Sequence, residues 1–339
     1  MKRLYRIIVS VLILIIVVFG TTSCTSQPLR KFEATRSMMD TFVTITIYSN
    51  DEEMAEAIIG AAFARMEEIE QEASIFDEES EAFQLNRDGY LESPSDDLLE
   101  LITMSSDFSQ LTDGCFDITV QPLLDLWQAG LWLETKSVQQ SRINEKLRLV
   151  GWDKIDITGN RIYFTVEGVK VTLGGIAKGY AVDEALEIIK GMGIKHALVN
   201  AGGDIGILGS KPRGGMWLVS LVNPDDKSQS LANFSISDKA IATSGNYERY
   251  FDPSKEAHHI VNPKTGYSAE GCVSVTVIAE NTTRADALAT GVFVMGPEDG
   301  IKLIESLADA ECLIVDADRT TIYLSSGLSR YLVESEQGE

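Results

Sequence analysis

The chain has 339 residues, with 51 acidic side chains against 29 basic ones and a formal charge of −22. That balance, without any basic patch, disfavours nucleic-acid binding, and an anionic ligand would need local lysines, backbone amides or a metal to offset the global field. Four cysteines without C-x-x-C spacing and three histidines without H-E-x-x-H spacing offer neither a disulfide framework nor a zinc site, so Cys115, Cys272 and Cys312 read as small buried hydrophobes.

In chain order, Lys2, Arg3 and Arg6 precede an apolar run from Ile7 to Phe19. The run is short for a spanning helix and ends in small residues, which reads as a secretory leader. Small residues before Cys24 suggest a bacterial lipobox, with residues 1–23 removed and Cys24 lipidated, although Thr21 stands where such boxes usually carry leucine. An uncleaved anchor, or a cut elsewhere, is the alternative. Either way the protein is expected outside the cytoplasm, tethered to a membrane. Residues 24–36 read as a polar linker and 37–335 as one domain.

Within that domain "FVTITIY" (42–48) alternates as a strand. Residues 54–74 carry Ile58, Ala62, Met66 and Ile69 at helical spacing. A helix begins after Ser95, with Asp96 and Asp97 in its first turn. Residues 162–164 and 169–171 read as β, and further strands are expected at 197–200, 216–222, 273–279 and 312–316. Helices are expected at 176–192, 285–295 and 298–308, and 223–239 as a surface excursion. Hairpin-like strands mixed with long helices argue for an α+β fold rather than a βαβ series.

Several segments are unusual for plain structure. In "VTLGGIAKGYAVD" (171–183), Gly174, Gly175, Lys178 and Gly179 crowd a strand-to-helix junction, where bare backbone can approach a phosphate; the plain alternative is a tight turn with a surface lysine. Asp117 in "GCFDITV" is either a cap or a ligand contact. "VNAGGDIGILG" (199–209) leaves a strand through two glycines into Asp204, and "IATSGNYERYF" (241–251) offers the hydroxyls of Thr243 and Ser244. "HHIVNPKTG" places His259 before an Asn-Pro turn. Asp286 and Thr290 in "TRADALATG" lie four apart on one helix face, which suits Mg²⁺ completed by phosphate oxygens; an acidic helix start with a back-bonded threonine is the alternative.

Taken together, "FDITVQPL", "LGGIAKGYAVD", "NAGGDI", "TSGNYERYF", "HHIVNPKTG" and "ADALAT", in this order, resemble the ApbE family of FAD:protein FMN transferases. The resemblance implies a single α+β domain of T-fold-like architecture, usually exported and often lipidated. It implies Mg²⁺-dependent cleavage of FAD, with FMN moved to a Ser or Thr of an acceptor protein through a phosphoester and AMP released. Acceptors would be membrane-associated flavoproteins carrying a Ser/Thr-Gly-Ala-Thr/Ser type motif. By motif, Met39, Phe76, Cys115, Phe116, Asp117, Thr172, Lys178 and Ile260 match FAD-contacting positions. Gly175, Asp286 and Thr290 match metal-binding positions, and His259 matches the motif histidine, the candidate proton acceptor. Two positions depart from many members: Thr172 replaces an aspartate and Asp40 a glycine. A FAD pyrophosphatase and a non-catalytic FAD-binding lipoprotein are the alternative readings.

Overall fold

The computed structural model describes residues 28–333. The leader expected at 1–23 and the lipid site expected at Cys24 lie outside them. Among the described residues no helix is long and apolar enough to cross a membrane.

Two strands, β1 (Arg30–Met38) and β2 (Thr41–Ser49), open the fold as a hairpin. The linker expected through residue 36 therefore gives way to β1 at Arg30. Its charges conceal a period of two, in which Phe32, Ala34 and Met38 lean on the core while their neighbours face water. Helix α1 (Glu52–Ala73) is capped by Asp51, whose side chain accepts from Met54 N–H at 3.0 Å. All four residues of its predicted stripe are fully buried. Helix α2 (Glu81–Asp88), strand β3 (Tyr90–Glu92) and helix α3 (Asp96–Leu111) follow, α3 starting on its Ser95 cap. Helices α4 (Gln121–Gln128) and α5 (Lys136–Lys146) and strands β4 (Ile155–Ile157) and β5 (Arg161–Phe164) lead to helix α6 (Ala177–Gly191).

Residues 169–171, expected as β, join no sheet. The Asn86 amide takes the place of a neighbouring strand there: it donates to Val171 O at 2.8 Å and accepts from Val171 N–H at 2.7 Å.

The second half supplies β6 (Ala197–Ala201), β7 (Asp204–Leu208), β8 (Trp217–Val222), β9 (Ser230–Ile236), β10 (Ala240–Gly245) and β11 (Cys272–Ala279), then helices α7 (Thr282–Met295) and α8 (Pro297–Glu305). Strands β12 (Glu311–Asp316), β13 (Ile322–Leu324) and β14 (Leu332–Val333) complete it. The excursion expected at 223–239 holds β9, because Phe234 and Ile236 turn inward and are fully buried.

One eight-stranded sheet, ordered β1-β2-β6-β7-β10-β11-β12-β13, dominates the fold, and its strand pairings are antiparallel. The α+β expectation holds. Helices α1, α6 and α7 pack on one face. The small sheet β14-β9-β8 covers part of the other, where Ile205, Trp217, Phe234 and Ile278 form a second core. With both faces covered, all eight residues of β11 are buried and its sequence shows no alternation. Cys272 and Cys312 are buried in this sandwich, where desolvation pushes both thiols up to about 12. Arg65 on α1 donates to both Asp97 oxygens on α3, at 2.6 and 2.5 Å, and to Glu184 on α6, tying three helices together.

Helices α6 and α7 cross at Gly179, where an added Cβ would sit 2.6 Å from Thr282 O. Gly179→Ala is therefore expected to destabilise the fold by about 2 kcal/mol, the usual cost of overpacking. A urea titration should show a lower midpoint at unchanged slope. An unchanged midpoint would mean that the helices separate at no cost.

Candidate active site

A cavity of about 1090 Å³ opens beside the start of α6 and is lined by all twelve flavin, metal and catalytic residues expected from the sequence. Its walls come from distant parts of the chain.

The β1–β2 turn contributes Met39 and Asp40, both left-handed at φ 52° and 57°. Two such residues in succession make the primed turn that a two-residue hairpin requires, and aspartate is among the few non-glycine residues that visit that conformation readily. Met39 N–H donates to Glu70 at 2.6 Å, and Asp40 lies 3.8 Å from Arg249 across the cavity lining. Phe76, just beyond α1, remains 71% exposed.

Cys115, Phe116 and Asp117 follow a turn through Asp113 and Gly114, both at positive φ. Cys115 is only half-buried and forms part of this wall. Both Asp117 oxygens are occupied by protein: Oδ1 accepts from Thr119 N–H and Oγ1–H at 2.8 and 2.6 Å, and Oδ2 from Trp152 N–H at 2.9 Å. Asp117 is thus the cap that its sequence context allowed. Its burial raises the carboxyl pKa, against the pull of those three donors.

The glycine-rich turn meets α7 at the centre of the cavity. Thr172 is anchored by its N–H to Ile118 O at 2.8 Å. A Cβ at Gly175 would stand 3.2 Å from Thr290 Oγ1 and 3.3 Å from Phe116. Thr290 Oγ1 is in turn 3.2 Å from Ser244 Oγ on β10. Asp286 is buried, and its Oδ2 accepts from Gly179 N–H at 3.1 Å. Burial, reinforced by the charge of Asp204, pushes the Asp286 carboxyl up to about 7.

This donor set fits a hard cation, with one carboxylate, two hydroxyls and a glycine whose missing Cβ keeps the space open. A bound cation would also offset the buried charge of Asp286, which Gly179 N–H and the Lys178 charge compensate only in part. Among the described residues no three His, Cys, Asp or Glu side chains converge on a point, so such an ion would depend on hydroxyl, backbone and substrate oxygens.

Lys178 lines the cavity, but its ammonium is paired with buried Asp204, and that charge holds its pKa above the usual range against the effect of burial. Asp183 is the contact that sequence reasoning missed. It accepts Thr282 and Thr283 N–H at 2.8 Å each, so α6 caps α7 and fixes the approach of the two helices that carry Lys178 and Asp286. The acidic residue that ends "AKGYAVD" (177–183) gives no local hint of a partner about a hundred residues away.

The paired histidines have separate environments. His258 is buried, with Nε2 2.9 Å from Ala269 O and Nδ1 accepting Ile260 N–H at 3.3 Å, so both nitrogens are satisfied. His259 places Nδ1 3.2 Å from Arg249 O. That acceptor assigns the proton to Nδ1 and leaves the Nε2 lone pair free. Burial, with His258, Arg249 and Lys178 nearby, lowers the His259 pKa to about 4, so the ring is neutral at physiological pH. Ile260, 7% exposed, completes this wall.

The family model described as "ApbE family" matches residues 39–314, which include every element of this cavity. The chain belongs to the ApbE family. ApbE relatives of established name include the FAD:protein FMN transferase of Haemophilus influenzae, 28% identical over 312 residues, covering 88% of this chain and 87% of that protein. The FAD:protein FMN transferase of Vibrio cholerae is 31% identical over 259 residues, covering 75% of this chain and 78% of that protein. Among solved structures, the ApbE protein of Thermotoga maritima superposes with a TM-score of 0.81 at 33% identity, covering 90% of this chain and all of that one.

Proposed function

We propose that this chain transfers FMN from FAD to a Ser or Thr hydroxyl of an acceptor protein in a Mg²⁺-dependent reaction that releases AMP. The observation that carries the reading is the convergence of His259, Asp286, Thr290 and Ser244 on one cavity, in a chain whose relatives are FAD:protein FMN transferases. At about 1090 Å³ the cavity reaches the upper end of the range for small-molecule pockets, roughly 300–1,000 Å³, as a dinucleotide requires.

Asp286, Thr290 and the backbone at Gly175 would hold the Mg²⁺, with Ser244 beside them. When bound, the ion supplies Lewis-acid polarisation of the pyrophosphate oxygens. In the reaction the acceptor oxygen bonds to the phosphorus of the FMN half, and the bond from that phosphorus to the bridging oxygen breaks. AMP leaves with that oxygen. The hydroxyl proton passes to His259 Nε2, the free nitrogen of a ring oriented by Arg249 O. The glycine turn brings backbone close to the phosphates, and Asp117 and Asp183 hold the walls in place.

The leader and Cys24 support an extracytoplasmic, lipid-anchored location, where exported acceptors would be met. The test uses the full-length chain in mild detergent with FAD, Mg²⁺ and an acceptor domain carrying a Ser/Thr-Gly-Ala-Thr/Ser segment. Mass spectrometry should find the acceptor heavier by one FMN, with AMP released and both products lost in EDTA. Free FMN beside an unmodified acceptor would make the chain a hydrolase, and intact FAD would make it a binding protein.

A further inference from the structure

The small sheet ends in β8, whose outer edge pairs with no strand among the described residues. The register shows which backbone groups that edge offers. Ser235 of β9 sends its N–H away from β8, to Tyr331 O at 2.8 Å. Its cross-strand partner Leu218 therefore points its own N–H and C=O outward, and Ser220 does the same two residues on.

Val219, Ser220, Leu221 and Val222 all border the active-site cavity. Side chains alternate along a strand, so a space bordered by consecutive residues of both parities meets the strand at its edge or its end, here from Val219 on into Asn223 and Pro224. The edge is also undefended. No residue from Trp217 to Val222 is charged, and Leu218 and Val222 stand 59% and 48% exposed. By contrast β1, one outer strand of the large sheet, carries Arg30, Lys31, Glu33 and Arg36, the kind of charge that keeps edges from pairing, and the other, β13, is only three residues long.

We propose that the free edge of β8 receives an extended segment of the acceptor protein as an added strand, which leads the acceptor hydroxyl into the cavity. This rests on the transferase reading, since a polypeptide co-substrate must reach a site that opens along this edge. Main-chain hydrogen bonds to Leu218 and Ser220 supply affinity with little sequence demand. Apolar side chains of the segment cover Leu218 and Val222, and its Ser or Thr lies beyond the end of the added strand.

Two variants at Leu218, which lies outside the cavity lining, test the proposal. Leu218→Pro removes an outward N–H that the β8–β9 ladder does not use, as an edge strand tolerates. Leu218→Lys charges the edge and serves if the proline variant fails to fold. Each should raise the KM for the acceptor domain about tenfold, the proline through a lost main-chain hydrogen bond and the lysine through a charge set against apolar side chains, with kcat at saturating acceptor and the KM for FAD unchanged. Hydrogen exchange on the wild type should show the Leu218 and Ser220 amides protected when the acceptor is added. Wild-type acceptor KM in both variants, without that protection, overturns the edge proposal alone. Concentration-dependent protection without acceptor would assign the edge to a second copy and overturn it as well. Failure of the wild type to modify the acceptor overturns the transferase reading, and this proposal falls with it.

Discussion

Asp286→Ala is expected to lower FMN transfer by about a thousandfold, the rate equivalent of losing several kcal/mol of electrostatic stabilisation at a metal site. Asp286 supplies the one carboxylate in the proposed donor set, and hydroxyls alone hold Mg²⁺ poorly. The same change should not lower thermal stability in EDTA. A fully desolvated carboxylate whose carboxyl is pushed up to about 7 is a burden on the metal-free fold, and its removal relieves that burden. Asp286→Asn keeps an oxygen for Gly179 N–H and separates charge from shape. Lost transfer with an unchanged or higher Tm in EDTA, together with loss of the Mg²⁺-induced rise in Tm, is the expected pattern. Transfer at the parental rate would remove Asp286 from the metal site.

His259→Ala is expected to slow transfer by about a hundredfold to ten-thousandfold, the usual range for a lost general base. FAD affinity and the Mg²⁺ dependence should move only a few-fold, because the ring sits on Arg249 O and not on the metal oxygens. The pH profile adds an independent check. The base works as the neutral imidazole, and its pKa is lowered to about 4, so at Mg²⁺ concentrations that keep Asp286 ionised the rate should fall as pH drops through about 4 and be flat through neutrality. An imidazole at its ordinary value would instead show the break near 6.5. The depressed value also makes the neutral form a condition of folding. Between the unfolded value of about 6.5 and the folded value of about 4 the unfolded chain binds the extra proton, so stability from this residue falls as pH drops through that window. Parental transfer by His259→Ala at saturating Mg²⁺ would exclude the base role.

The parts of the site legible in the sequence are those built from neighbours. The crowded glycines of 174–179 and the spacing of Asp286 and Thr290 each express one local constraint, bare backbone in the first case and a shared helix face in the second. Caps were equally visible, as at Ser95, because a cap needs only the next three residues. Phe32, Ala34 and Met38 of β1 were hidden because charges on the water-facing side outweigh a weak alternation. Strand β9 was hidden because its polar flank faces solvent and only Phe234 and Ile236 are fully buried, Leu231 and Ala232 packing partly against the core.

By itself the sequence determined that the chain is an α+β domain with a glycine turn, an acidic–hydroxyl helix face and a motif histidine, because periodicity, turn chemistry and residue type are written locally. Only the tertiary structure decided how those groups are used. It paired Lys178 with Asp204 across 26 residues and set Thr290 beside Ser244 across 46. It also fixed the His259 proton on Nδ1 through Arg249 O, bonded Asp117 to Trp152 N–H, and closed Asp183 into a cap on α7. Such contacts depend on where the large sheet and its two covering layers bring distant segments together, and a buried charge or lone pair takes its character from that environment.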